Sequence, residues 1–188
     1  MISARFGRRI EIPLAPAIRK IKISPNALTL AGFAVTSAGA FVLASDFLLG
    51  AVLVLLGGLC DVLDGMVARV NGKTSALGAY LDSVLDRYSD GFIFLAVAYH
   101  MRADIVAVFL SLGTFLGALL VSYARARAEG LGVECKVGIM ERPERIMLVT
   151  AGAVSGQMYP VLWVLFIFTH ITVLQRIIHT KNKLKGFR

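Results

Sequence analysis

Six stretches of the chain, residues 27–45, 47–60, 88–101, 103–124, 146–156 and 159–175, carry almost no charge. Most of them approach the ~20 apolar residues with which an α-helix crosses the hydrocarbon of a bilayer. A helix satisfies its own backbone N–H and C=O groups within the segment, as a water-free environment demands. The runs therefore predict an all-α, polytopic membrane protein with six transmembrane helices. Composition agrees: 57% of residues are hydrophobic, the mean hydropathy is +0.74 and only 17% are charged, against about 25% charged in a soluble domain. Residues 146–175 are interrupted only by Ser155, Gly156, Gln157, Met158, Tyr159 and Pro160. Two short spans or one long kinked helix both fit there.

Basic residues flanking apolar helices mark the cytoplasmic side. Of the 20 Lys and Arg, only Arg102 falls in a loop assigned to the outside. The rest sit in the N-terminal segment, between spans two and three, between spans four and five, or at the C-terminal end. This predicts a multi-pass protein of the cytoplasmic membrane with both termini inside and an even number of spans. The net charge of +8 and pI near 9.9 argue against nucleic acid as a partner, because the charge collects on one side of a bilayer. Anionic lipid and phosphorylated substrates suit it better. Cys60 and Cys135 fall on the inner, reducing side and receive no chemistry.

Residues 1–22 are expected to be a juxtamembrane segment without a cleavable signal peptide. Ile10, Ile12, Leu14, Ile18 and Ile21 alternate with Arg and Lys, as in an amphipathic helix lying at the headgroup level, although Pro13 and Pro16 interrupt it. No repeat or linker appears, so residues 1–188 are read as one domain. Ser24-Pro25-Asn26 is a helix start with Asn as the capping residue, and Asp46 and Asp104 are solvated ends of short outer turns.

Four carboxylates do not fit that pattern. Asp61, Asp64, Asp82 and Asp86 lie in or beside apolar helix, where an Asp carries an insertion cost of about 2.5–3.5 kcal/mol at the helix centre and less near the interface. Residues three and four apart share a helix face, so Asp61 pairs with Asp64 and Asp82 with Asp86. Two such pairs facing each other repel unless some carboxyls are protonated or cations lie between them, and hard oxygen ligands suit Mg²⁺, with Mn²⁺ as an alternative. Gly65 and Gly78 leave room for a ligand, and Arg69, Lys73, Thr74 and Ser75 offer phosphate contacts. A cation or proton transporter also carries intramembrane carboxylates, but the outer halves of the spans here are apolar.

Residues 61–86 read Asp-x-x-Asp-Gly-x-x-Ala-Arg, eight residues, then Gly-x-x-x-Asp-x-x-x-Asp. This closely resembles the signature of the CDP-alcohol phosphatidyltransferase family, whose members displace CMP from a CDP-linked donor. The resemblance implies a six-helix fold, a homodimer and two metal ions. It implies Asp61, Asp64 and Asp82 as metal ligands. Asp86 would complete the second site and act as the general base toward the acceptor hydroxyl. Gly65, Arg69, Ser75 and Gly78 would line the CDP-donor pocket. Residues 86–91, 122–129 and 141–145 look like the branch that makes phosphatidylinositol phosphate or archaetidylinositol phosphate. That branch implies inositol 1-phosphate as acceptor, held by Ser122, Arg125, Arg145 and Arg176, with CDP-diacylglycerol or CDP-archaeol as donor. Alternatives within the family are phosphatidylglycerol phosphate synthesis and CDP-inositol-dependent di-inositol phosphate synthesis. Asp90 and Arg127 receive no role.

Overall fold

The computed structural model describes residues 15–16, 18–19 and 23–185. Its elements are α1 (Pro25–Leu43), α2 (Phe47–Val70), α3 (Ala76–His100), α4 (Ile105–Glu129), α5 (Arg142–Ser155) and α6 (Met158–Lys185). Each apolar run has become a helix, but α2 continues through the acidic signature and α3 begins well before its apolar half. Four helices, α1, α2, α4 and α6, are long and apolar enough to cross a membrane. α3 has the length but carries Asp82, Asp86, Arg87 and Asp90. α5 has 14 residues, or about 21 Å at 1.5 Å per residue.

Most of the predicted amphipathic segment lies outside the described residues. Ile18 is described, and it is buried against Met66 and Val67 of α2.

Within the expected domain the chain forms two compact units, Ile2–His100 and Met101–Arg188. In the first, α1 packs along α2 and also against α3. Glycines set the approach of α1 to α2: a Cβ on Gly50 would fall 2.3 Å from the Leu43 Cα, and one on Gly39 2.7 Å from the Val54 N. Such contact gains dispersion energy where hydrophobicity supplies no driving force between helices. Leu43, Val54, Phe94 and Val97 are among the unit's fully buried side chains. Ser24, not Asn26, caps α1, its Oγ accepting the Ala27 N–H at 3.3 Å, with Pro25 in the first turn. Asp46 is more than a solvated end, since its carboxylate accepts the Leu49 N–H at 3.0 Å and caps α2.

In the second unit α4 and α5 each pack against α6. Asp104 caps α4 by accepting the N–H groups of Val106 and Ala107. The buried hydroxyls of Thr114, Thr169 and Thr172 each donate to the carbonyl four residues earlier, which keeps them satisfied in an apolar interior. The interruption at residues 155–160 is a true break. Gly156 takes the left-handed conformation (φ 66°) and ends α5, and α6 starts at Met158.

Candidate functional site

The acidic signature folds as helix, turn, helix. α2 closes in a Schellman arrangement: the Gly72 N–H donates to the Arg69 carbonyl at 3.3 Å and the Lys73 N–H to the Ala68 carbonyl at 2.8 Å. Gly72 supplies the left-handed residue this closure requires, at φ 63°. Three residues later Ser75 starts α3, its Oγ accepting the Gly78 N–H at 3.0 Å. Accepting that bond leaves the hydroxyl proton available for a ligand.

Between these elements lies a cavity of about 220 Å³. α1 contributes Pro25, Asn26 and Thr29, α2 contributes Asp64, Gly65, Ala68 and Arg69, the turn contributes Lys73, Thr74 and Ser75, and α3 contributes Gly78, Ala79 and Asp82. Six predicted residues, Asp64, Gly65, Arg69, Ser75, Gly78 and Asp82, thus share one hollow. The glycines keep it open and tight together. A Cβ on Gly78 would sit 2.9 Å from both Asn26 Oδ1 and Ser75 Oγ, and one on Gly65 would sit 3.1 Å from Arg69 Nη1.

The remaining two carboxylates lie outside the lining. Asp61 rests against α1, where a Cβ on Gly32 would approach its Oδ1 to 2.5 Å. Asp86 is 3.9 Å from Arg87 Nη1. Asp61 and Asp82 both contribute to the electrostatic field at Asp64. Among the described residues no three Asp, Glu, His or Cys side chains close around one point. Asp64, however, is 5% exposed and its Oδ2 is buried without a hydrogen-bond partner. A buried carboxylate oxygen in that state is costly, and it fits a hard cation as its missing partner.

Sequence reasoning missed Asn26 and Thr29. Their signal was present, since they stand three apart on one face of α1, but the helix-start role absorbed the first of them.

The predicted acceptor residues all belong to the second unit. Ser122 and Arg125 are on the last turns of α4, with Arg125 Nε donating to Glu129 Oε1 at 2.9 Å. Arg145 lies in the first turn of α5, 3% exposed, and its Nη1 reaches the Met140 carbonyl at 3.4 Å. Arg176, also 3% exposed, comes from α6. Arg125 and Arg145 both lie within electrostatic range of Arg176. The Glu141 carboxylate accepts from Arg176 Nη2 at 3.3 Å.

Residues 22–179 match the family model described as CDP-alcohol phosphatidyltransferase. An archaetidylinositol phosphate synthase from Methanothermobacter thermautotrophicus is 40% identical over 185 residues, covering 95% of this chain and 92% of that protein. Two crystal structures of a Mycobacterium tuberculosis phosphatidylinositol phosphate synthase are similar. The form with CDP-DAG bound gives a TM-score of 0.77 at 33% identity and covers 92% of this chain and 94% of that one. The form in complex with manganese and citrate gives 0.79 at 30%, covering 90% and 88%. The helical architecture, the signature residues that share one cavity and these similarities converge: the chain belongs to the CDP-alcohol phosphatidyltransferase family and is a transferase.

Proposed function

We propose that this protein makes an inositol-phosphate phospholipid, moving the phospho-lipid group of CDP-diacylglycerol or CDP-archaeol onto the hydroxyl of inositol 1-phosphate and releasing CMP. The observation that carries the reading is one cavity that gathers two carboxylates, a guanidinium and three small residues, Gly65, Ala68 and Gly78, from the signature. The synthase names of the relatives, and the CDP-DAG complex of one of them, support the choice of donor and acceptor.

Asp61, Asp64, Asp82 and Asp86 would hold two divalent cations, Mg²⁺ or Mn²⁺; the manganese complex of the mycobacterial enzyme supports this chemistry. Bound there, cations neutralise the diphosphate and ease departure of CMP. The chain's own residues do the rest. Arg69, Lys73 and the Ser75 hydroxyl bind donor phosphate oxygens by charge-assisted hydrogen bonds. Gly65 and Gly78 admit the nucleotide, and Asn26 and Thr29 close the α1 side of the pocket. Asp86 takes the proton from the acceptor hydroxyl, a general-base contribution of about 10²–10⁴-fold. Ser122, Arg125 and Arg145 recognise the acceptor phosphate, for which guanidinium forks are suited, and Arg176 belongs to the same set.

In this reading all six helices cross the cytoplasmic membrane. α3 keeps its acidic half at the inner headgroups and both termini are inside. The protein works as a homodimer among membrane lipids. Phosphatidylglycerol phosphate synthesis and di-inositol phosphate synthesis are alternatives inside the family.

The test supplies the purified protein with CDP-lipid and Mg²⁺ and offers labelled inositol 1-phosphate, free inositol and glycerol 3-phosphate in parallel. Label enters lipid from inositol 1-phosphate in the proposed function. Incorporation from glycerol 3-phosphate alone contradicts it.

A further inference from the structure

Thr172 sits in the middle of α6, fully buried, and its hydroxyl is used to capacity. A hydroxyl has one proton to donate and two lone pairs to accept with. The Thr172 hydroxyl donates to the Phe168 carbonyl at 2.8 Å and accepts the N–H groups of Ile139 and Met140 at 3.3 and 3.0 Å. Thr114 and Thr169, also buried, likewise donate to carbonyls one turn back on their own helices. Such back-bonding is ordinary for a threonine inside a helix, whereas contacts reaching 33 and 32 positions away tether a second piece of chain.

That piece is the strap of residues 130–141 between α4 and α5. Gly138, at φ 135°, brings the strap so close to α6 that a Cβ there would meet Thr172 Cγ2 at 2.5 Å. Beyond the tether the chain leads directly to Arg145. The Met140 carbonyl accepts from Arg145 Nη1 at 3.4 Å, and the Glu141 carbonyl accepts the Arg145 N–H at 3.2 Å. Glu141 is the N-cap residue of α5 but makes no side-chain cap bond, its carboxylate turning instead to Arg176. The backbone start of α5 therefore depends on how residues 139 and 140 are held. A guanidinium carries its five N–H donors in a fixed fork, so anchoring one nitrogen of Arg145 at the Met140 carbonyl orients the others.

We infer that Thr172 is a positioning residue for the acceptor site: its hydroxyl pins Ile139 and Met140 to α6, and Met140 in turn aims the Arg145 guanidinium at the acceptor phosphate. The inference rests on the acceptor reading of Arg145, and it adds to that site a residue that acts without touching substrate. A valine has the same shape but neither proton nor lone pair, so it would leave two backbone N–H groups of the strap without this acceptor. A serine keeps the hydroxyl and loses only the methyl group.

Thr172→Val, Thr172→Ser and Gly138→Ala test it in the purified protein, read by the KM for labelled inositol 1-phosphate, the KM for CDP-lipid and hydrogen exchange at the amides of residues 139 and 140. Thr172→Val should raise the acceptor KM about tenfold and leave the donor KM unchanged, with faster exchange at Ile139 and Met140. Thr172→Ser should match the unsubstituted protein in all three. Gly138→Ala keeps the hydroxyl and presses the strap off α6, so it should raise the acceptor KM even if Thr172→Val fails to fold. Because Thr172 acts through Arg145, Thr172→Val should add little to the loss in Arg145→Gln. Unchanged exchange or acceptor KM in Thr172→Val, an unchanged acceptor KM in Gly138→Ala, an equal loss in Thr172→Ser, or full additivity with Arg145→Gln overturns the inference. An acceptor KM unmoved by Arg145→Gln ends the acceptor reading instead, and exchange in Thr172→Val still decides whether the hydroxyl holds the strap.

Discussion

Asp86 follows Asp82 by one turn of α3 and carries the heaviest chemical assignment. Asp86→Asn removes the basic oxygen and keeps the shape, so transfer should fall by about 10²–10⁴-fold while donor binding persists in part. Rapid-quench measurement of CMP release checks this, and an undiminished rate would end the assignment. Gly78 carries a steric one. With Asn26 Oδ1 and Ser75 Oγ each 2.9 Å from the place of a Cβ, Gly78→Ala must push one of them into the cavity. Donor KM should rise about tenfold, or ~1.4 kcal/mol, with less change in acceptor KM. The carboxylates and glycines were legible in the sequence because their spacing along a helix is a local property. Asn26 beside Gly78, and Glu141 on Arg176, were not. Those pairs are separated by 52 and 35 positions, and only tertiary packing brings them together.

Helix identity was easier to read than helix length. Apolar runs located all six helices, but hydropathy sees only the part of a helix that faces hydrocarbon. The ends are decided by caps and closures such as Ser24, Asp46, Asp104 and the Schellman turn at Asn71–Lys73. That turn aligns the two halves of the signature, and Gly72 permits it. Nothing lies within 4 Å of a Cβ built on Gly72, so Gly72→Ala adds backbone strain alone. The expected cost is about 1 kcal/mol, seen as a lowered thermal midpoint in detergent without loss of the residual folded enzyme's activity. A neutral substitution would mean that the turn relaxes into another closure. The choice between one kinked helix and two at residues 146–175 also rested on a single glycine, since Gly156 needs a left-handed conformation that hydropathy cannot report.

Across the whole chain, the signature and its cavity belong to one compact unit and the arginine set to the other, while the family model runs through both, from 22 to 179. The proposed cation ligands, Asp61, Asp64, Asp82 and Asp86, fall in the first unit, and the proposed acceptor residues, Ser122, Arg125, Arg145 and Arg176, fall in the second. Both were visible in the sequence as residue types, because charged side chains in an apolar chain need a specific reason to be there. Their burial was not visible, nor was the orphaned Asp64 Oδ2. That oxygen makes the cation requirement the central claim, and acceptor-dependent CMP release from chelator-treated protein tests it most directly. The account predicts no release until Mg²⁺ or Mn²⁺ is restored, and no restoration in Asp64→Asn; full release with the chelator still present would contradict it.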